Sequence, residues 1–162
     1  MAFIEKFRDD YERFNVSFAA GAAAPNWWTD IMLVQYLITQ IYSLSWGGSS
    51  SWKASLTDEE FNNLPDPNVD FKNLKKTEEW IFTFQSDVNT QTPNLVKLDG
   101  RVDRAQGFVP SANAYYTMQA LNDFFALLYY EKKQPDGYFI DGALADPWMP
   151  QLLRAQLFSA KT

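Results

Sequence analysis

Neither cysteine nor histidine occurs anywhere in these 162 residues. The first absence removes disulfides, thiolate nucleophiles and thiolate metal sites; the second removes imidazole bases and imidazole-ligated zinc. A large part of enzyme chemistry is thereby excluded. Absence of cysteine fits a cytoplasmic protein and one exported by a dedicated machine equally well. Positive charge is scarce too: 14 Lys and Arg stand against 20 Asp and Glu, a formal net charge of −6. No basic cluster exceeds the pairs Lys75-Lys76 and Lys132-Lys133, so nucleic acid is not an expected partner. Also missing is a purely apolar run of the roughly 18 residues that mark a membrane span, so none is expected. The first 14 residues carry charges every few positions and lack the apolar centre of a signal peptide. The chain is therefore expected to start in the cytoplasm, with export by a dedicated secretion system or release by lysis left open.

What is present in excess is aromatic. Thirteen Phe, eight Tyr and six Trp make 17% of the chain; such side chains fill cores and also build interfaces and sugar-stacking surfaces. At 162 residues and 46% hydrophobic content, one domain with a sizeable core is expected. Its centre is residues 29–46, where apolar side chains point in nearly every direction around a helix. Only Gln35, Thr39 and Ser43, spaced at i+4, leave a polar seam.

The flanking segments read mainly as helices. Phe3, Ile4, Phe7, Tyr11 and Phe14 fall at helical spacing, predicting an amphipathic helix over residues 2–14 that docks on the core or serves as a partner-binding arm. Residues 15–28 form a connector, residues 29–133 the core, and residues 134–162 a closing turn, short strand and helix. Asn26 or Thr29 is the expected cap of the central helix, with Asp30 in its first turn. Thr57 and Glu60, with Leu56 and Phe61 beside them, form a capping box and hydrophobic staple on a short helix that Pro65 ends. Asp70 is the expected cap of a helix over residues 71–89, whose stripe of Leu74, Thr77, Ile81, Phe84 and Val88 should cover the central helix, with Trp80 and Phe82 widening it. A further helix is expected from Ser111 or Asn113 to Lys133, and a last one after Asp146-Pro147, regular from Gln151. Residues 95–98, ending in the Asp99-Gly100 turn, and residues 138–142 are expected to pair as a small antiparallel ribbon. The fold class is mainly α: a bundle of about six helices with a minor two-stranded β-ribbon.

Three segments resemble a known family. Asp30-Ile-Met-Leu-Val-Gln-Tyr-Leu37 is similar to the first-helix signature of peptidoglycan-binding-like domains. Thr77-Glu-Glu-Trp-Ile-Phe-Thr-Phe-Gln85 resembles the family's closing helix, which starts at Thr and ends in Phe-Gln. Leu98-Asp99-Gly100-Arg101-Val102, with Tyr116-Thr-Met-Gln-Ala-Leu-Asn122, resembles a second, extended copy of its Asp-Gly turn and following helix. The resemblance covers about residues 29–122 and implies a non-catalytic module that targets cell-wall glycopeptide or serves for attachment. The family's Asp-Gly-x-x-Gly turn before the closing helix is replaced here by Asp66-Pro-Asn-Val-Asp-Phe-Lys-Asn73, which has no glycine, and the stretch between the two signature helices is longer.

Other constellations carry less. Asp99 and Asp103 flank Gly100-Arg101-Val102 and could act as the two carboxylates of a glycosidase; the plainer reading is an Asx-turn at Asp99 and a surface pair of Asp103 with Arg101 or Arg104. Asp66-Pro-Asn68-Val-Asp70 opens like a calcium loop, but Phe71 stands where that loop needs glycine and Thr77 where it needs Glu. A capped turn is expected there, and no cofactor or metal. Trp27, Trp28, Tyr115 and Tyr116 at helix ends, with Gln35, Asp99, Arg101 and Asp103, form the candidate ligand-binding set. The expected function is a peptidoglycan-binding-like module that recognises glycopeptide through aromatic and amide side chains. A structural or adaptor protein of a phage-like or secretion apparatus, and a small carboxylate-dependent glycosidase, are the alternatives.

Overall fold

Helix α1 (Trp28–Ser45) is sheathed by the rest of the chain: every residue from Asp30 to Ile38, together with Ile41, Tyr42 and Ser45, is buried. The structure, a computed structural model, describes residues 1–7, 11–46, 52, 54–106, 115–133 and 136–160. The other helices are α2 (Asp58–Asn62), α3 (Leu74–Gln91), α4 (Thr117–Lys133), α5 (Phe139–Ala145) and α6 (Gln151–Ala160), with a 3-10 turn at Asp70–Lys72. The protein is thus mainly helical, as its sequence predicts. α4 forms the most extensive contact of α1, and α3, α6 and the 3-10 turn close other sides. Ile31, Leu33, Leu37, Ile38 and Ile41 are all essentially inaccessible to solvent. Each such side chain contributes about 1.5–3 kcal/mol of burial free energy. Trp52 is also fully buried, among Tyr42, Phe84 and Phe124, so it fills core and offers no surface.

The N-terminal segment departs from the helical expectation. Residues 3–7 and 11–15 form strands β1 (Phe3–Phe7) and β2 (Tyr11–Asn15), paired antiparallel with Ile4 opposite Phe14, Glu5 opposite Arg13 and Lys6 opposite Glu12. The hairpin places Ala2, Ile4 and Phe14 together in the core, a juxtaposition that a helix over the same residues cannot make. It also sets opposite charges across the ladder, and Arg13 pairs with Glu5 at 2.8 Å. Residues 8–10, part of the expected helix, lie outside the described residues.

The expected ribbon is also differently built. Residues 95–98 form no strand, and residues 139–145 are α5. Instead β3 (Ala20–Gly21) pairs antiparallel with β4 (Arg101–Val102), immediately after the Asp99-Gly100 turn. Side-chain amides take the place of absent strand neighbours. Asn89 donates to the Val96 carbonyl at 2.9 Å and accepts from its N–H at 3.0 Å. Asn122 does the same for Phe14 at 2.9 and 2.8 Å, and Asn26 for Gly21 at 3.0 and 2.7 Å. Each carboxamide thus satisfies a backbone N–H and C=O that would otherwise be orphaned.

Helix ends match the sequence at some points. The capping box at Thr57 is complete: its Oγ1 accepts from the Glu60 N–H at 3.2 Å, and its own N–H donates to Glu60 Oε2 at 2.7 Å. The cap of α3 is Asn73 rather than Asp70, because the 3-10 turn intervenes. At the start of α1, Trp27 holds the cap position without a side-chain bond, while Asn26 is occupied with Gly21. Leu74 and Phe82 of the expected α3 stripe are about half exposed. The expected start of α4 at Ser111 or Asn113 and the first two residues of the closing turn, Gln134 and Pro135, lie outside the described residues.

Glycine is required where β3 meets the Asp99-Gly100 turn. Gly100 has φ +68° and Gly21 φ +100°, and a Cβ on Gly21 would stand 2.2 Å from the Gly100 carbonyl oxygen. Both conformations disfavour other residues. Gly21→Ala should therefore lower unfolding free energy by about 2–4 kcal/mol in denaturant titration; a loss below about 0.5 kcal/mol would show that this junction is not close-packed.

Candidate functional site

Two buried glutamines build the framework around which the surface sites are arranged. Gln85, on α3, accepts from the N–H groups of Asp99 and Gly100 at 3.1 and 2.8 Å and donates to Asp99 Oδ1, the Arg101 carbonyl and Thr117 Oγ1 at 3.1, 2.9 and 3.0 Å. One amide thereby ties the Asp-Gly turn to the first residue of α4. Gln35, on α1, donates to the Asp70 carbonyl at 3.0 Å and to Thr77 Oγ1 at 2.8 Å. The two sets correspond: a helix glutamine, an acidic turn, and a threonine in the first turn of the next helix. They differ at one atom. Gln35 Oε1 is buried without a partner among the described residues, and the N–H groups of Asp66, Asn68, Val69 and Asp70 are spent within their own turn.

The candidate set from the sequence divides on this framework. Gln35 is fully buried, and its amide nitrogen is bonded within the scaffold. Asp99 Oδ1 accepts from the Arg101 N–H at 3.1 Å, an Asx-turn, and Asp103 pairs with Arg101 at 2.8 Å. Arg101 also reaches the Ala23 carbonyl at 3.0 Å, which joins this turn to the loop leading into α1. Both carboxylates are engaged by protein donors, as the plainer reading expected. Tyr116 is partly buried against the core, and the Tyr115 hydroxyl donates to Asp123. Desolvation pushes the Asp123 carboxyl up to about 6 against the pull of Arg13.

Asp66 and Asp70 make a capped turn. Asp66 Oδ1 accepts from the Asn68 N–H at 2.9 Å, and Asp70 Oδ2 takes the Asp66 N–H and the Lys76 ammonium, each at 2.8 Å. Burial alone would raise Asp70; the Lys76 and Asp66 donors outweigh it and hold its carboxyl below the usual range. Among the described residues no cluster of three or more acidic side chains is arranged to hold a metal.

Trp27 and Trp28 do reach the surface, about half exposed, at the start of α1. Trp27 stacks on Phe18 with ring centroids 5.3 Å apart, and Trp28 meets Phe71 edge-on with Lys72 Nζ 5.1 Å over its ring. A shallow cavity of about 450 Å³ lies against both indoles, bounded by Met1 and Leu152.

The larger feature lies along the other half of α1 and was not assigned from sequence. A cavity of about 630 Å³ runs beside Gln40 and Ser43 between Phe61, Pro65 and Trp148. A second, of about 300 Å³, adjoins it on the side of Tyr129 and Asp146. Tyr36, Gln40, Leu44, Lys133 and Trp148 line both, making one groove. Trp148 is 71% exposed, more than any other tryptophan here. Its backbone is held in the turn: the main-chain N–H donates to Asp146 Oδ1 at 3.0 Å, while Asp146 Oδ2 accepts from the Tyr36 hydroxyl at 2.7 Å. Burial, and then that bond, push the Tyr36 ionisation far above the usual range, so the phenol remains a donor. The polar seam at Thr39 and Ser43 was the available signal. Thr39 bonds to the Pro65 carbonyl at 2.6 Å, and Ser43 is exposed in the groove.

The unequal satisfaction of the two glutamines is measurable. Gln85→Met orphans two turn N–H groups, whereas Gln35→Met removes an amide whose oxygen already lacks a partner. Gln85→Met should be more destabilising by about 1–3 kcal/mol in denaturant titration; equal losses would show that the turn does not depend on Gln85. In comparisons with known proteins, no family model, no curated protein and no solved structure matches this chain.

Proposed function

We propose that this protein is a non-catalytic, peptidoglycan-binding-like module that takes a cell-wall glycopeptide or closely related ligand in the groove beside α1. The observation that carries the reading is Trp148, an exposed indole on a hydrogen-bonded turn at the edge of a groove that also holds the amides of Gln40 and Asn62. Sugar rings present apolar faces rimmed by hydroxyls, and an aromatic platform beside amide donors and acceptors matches both parts. The paired arrangement of Gln35 with Thr77 and Gln85 with Thr117 supports the family resemblance, since it gives the motif residues one shared structural task.

A second reading, an assembly or adaptor protein, draws on the exposed Trp27 and Trp28 and their neighbours, which have the composition of a protein hot spot. The two readings use different faces and separate by mutation. Purified protein should pellet with cell-wall sacculi. Trp148→Ala should weaken that binding about tenfold or more, while Trp27→Ala and Trp28→Ala leave it unchanged. Protein that stays in the supernatant beside a wall-binding control would overturn the glycopeptide reading, and a loss confined to the Trp27 and Trp28 variants would move the site to that patch.

A further inference from the structure

The walls of the groove hold two carboxylates against one ammonium: Asp66 lines the larger cavity, Asp146 the smaller, and Lys133 both. Among the described residues Lys133 closes no ion pair with either acid. Asp146 accepts only from neutral donors, the Tyr36 hydroxyl and the Trp148 N–H, and Arg154 stands behind it with Nη2 on the backbone carbonyls of Asp146 and Met149. Asp66 is more open. Its Oδ1 accepts from the N–H and the side-chain amide of Asn68 at 2.9 and 3.3 Å, and among the described residues its Oδ2 accepts no hydrogen bond. No cation pairs with it there either, because Lys76 is spent on Asp70 at 2.8 Å. The same Asn68 amide lies 3.5 Å from the Trp148 carbonyl oxygen, so the open carboxylate and the exposed indole belong to residues on either side of one amide.

Resting on the glycopeptide reading, we propose that the groove selects ligands bearing a primary ammonium group, which Asp66 Oδ2 binds beside the indole of Trp148. A carboxylate oxygen with open lone pairs and the face of a tryptophan ring both attract a cation, and an ammonium, compact and carrying three donors, can serve them together. A sugar hydroxyl can donate to Asp66 but makes a weaker bond and gains nothing from the charge distribution of the ring. Lys133 is exposed at the end of α4, where solvent and salt screen its repulsion of such a ligand. In a glycopeptide the required chemistry has two sources: a sugar amine that carries no acetyl group, and the side-chain amine of a residue in the peptide.

The test uses the full chain and two matched pairs of soluble probes, with affinity read by calorimetry. One pair is a glucosamine oligomer against the N-acetylglucosamine oligomer of the same length; the other is a disaccharide-peptide with a free lysine side chain against the same compound acetylated on that amine. The native protein should bind the amine form of at least one pair roughly tenfold more tightly, the pair identifying the source, and added salt should erase most of that difference. Asp66→Asn keeps an acceptor for the Asn68 N–H, so its circular dichroism melt should be unchanged; it should lose the preference and keep affinity for the acetylated form. A general attraction of amines to a chain of net charge −6 would survive that substitution. Equal binding within both pairs by the native protein, which requires no variant, or an undiminished preference in Asp66→Asn, would overturn the ammonium assignment and leave the groove reading intact. Failure of every probe to bind would overturn both.

Discussion

An α-helix sheathed on nearly every side cannot leave its polar side chains unanswered, and in α1 the answers hold the molecule together. Asp30 accepts from the amino group of Met1 and the N–H groups of Ser17 and Phe18 at 3.0 to 3.3 Å, which fixes the N-terminal hairpin. Gln35 binds the start of α3, Tyr36 binds Asp146 ahead of α6, and Thr39 binds Pro65 after α2. Tyr42 donates to Asp87 at 2.6 Å, whose other oxygen takes the Ser55 hydroxyl at 2.5 Å. Five polar residues on one helix therefore fasten the N-terminal hairpin, α3 at two points, and the segments beside α2 and α6. Burial makes every one of these bonds costly to lose, because the freed group would have no water to turn to. Hydrophobic contact supplies most of the stabilising free energy, but these bonds determine which segment lies where.

Much of the helical content was legible because its signals are local. The Thr57–Glu60 box and the three-and-four spacing in α3 act within a turn or two of the chain, whereas the cap-then-proline order at Asp146-Pro147 misleads: Asp146 ends α5, a turn follows, and α6 begins only at Gln151, the expected start of its regular part. The hairpin was not legible by the same route. Phe3, Ile4, Phe7, Tyr11 and Phe14 satisfy a helical stripe as well as two short strands. One difference between them is which charges meet: Glu5 lies opposite Arg13 and Lys6 opposite Glu12 only when the chain folds back on itself. Likewise Asn26, Asn89 and Asn122 carry no sequence mark of their role, since an amide that replaces a strand neighbour is defined by a partner up to 108 residues away.

The candidate site shows the same division. The seam on α1 and the Asp99-Gly100 turn were visible in the sequence, and the structure places the seam's Ser43 in the groove and the turn at the foot of β4. Trp148 escaped notice because its neighbours, Asp146 and Pro147, have an ordinary use as a helix opening. Its place in the groove comes from Tyr36, which is 110 residues from the Asp146 that it fixes. Gln35 lies on the same polar line but takes the other course open to it: Asp70 and Thr77 close over it, and its amide bonds the start of α3.

The groove and the buried network have one origin. Apolar elements cover α1 wherever its side chains are apolar, and protein acceptors or donors meet Asp30, Gln35, Tyr36, Thr39 and Tyr42 where they are not. Gln40 and Ser43 remain, on the helix's second half. A hydrophobic element packed over them would bury an amide and a hydroxyl with nothing to bond to, at a cost of about 1–3 kcal/mol each. The chain instead parts there: α2 and the Pro65-Pro67 turn stand on one side, α5 and Trp148 on the other. An opening lined by polar groups that no described residue pairs, and by an aromatic ring on a hydrogen-bonded turn, is where a partly polar ligand can replace water without leaving α1 worse satisfied than before.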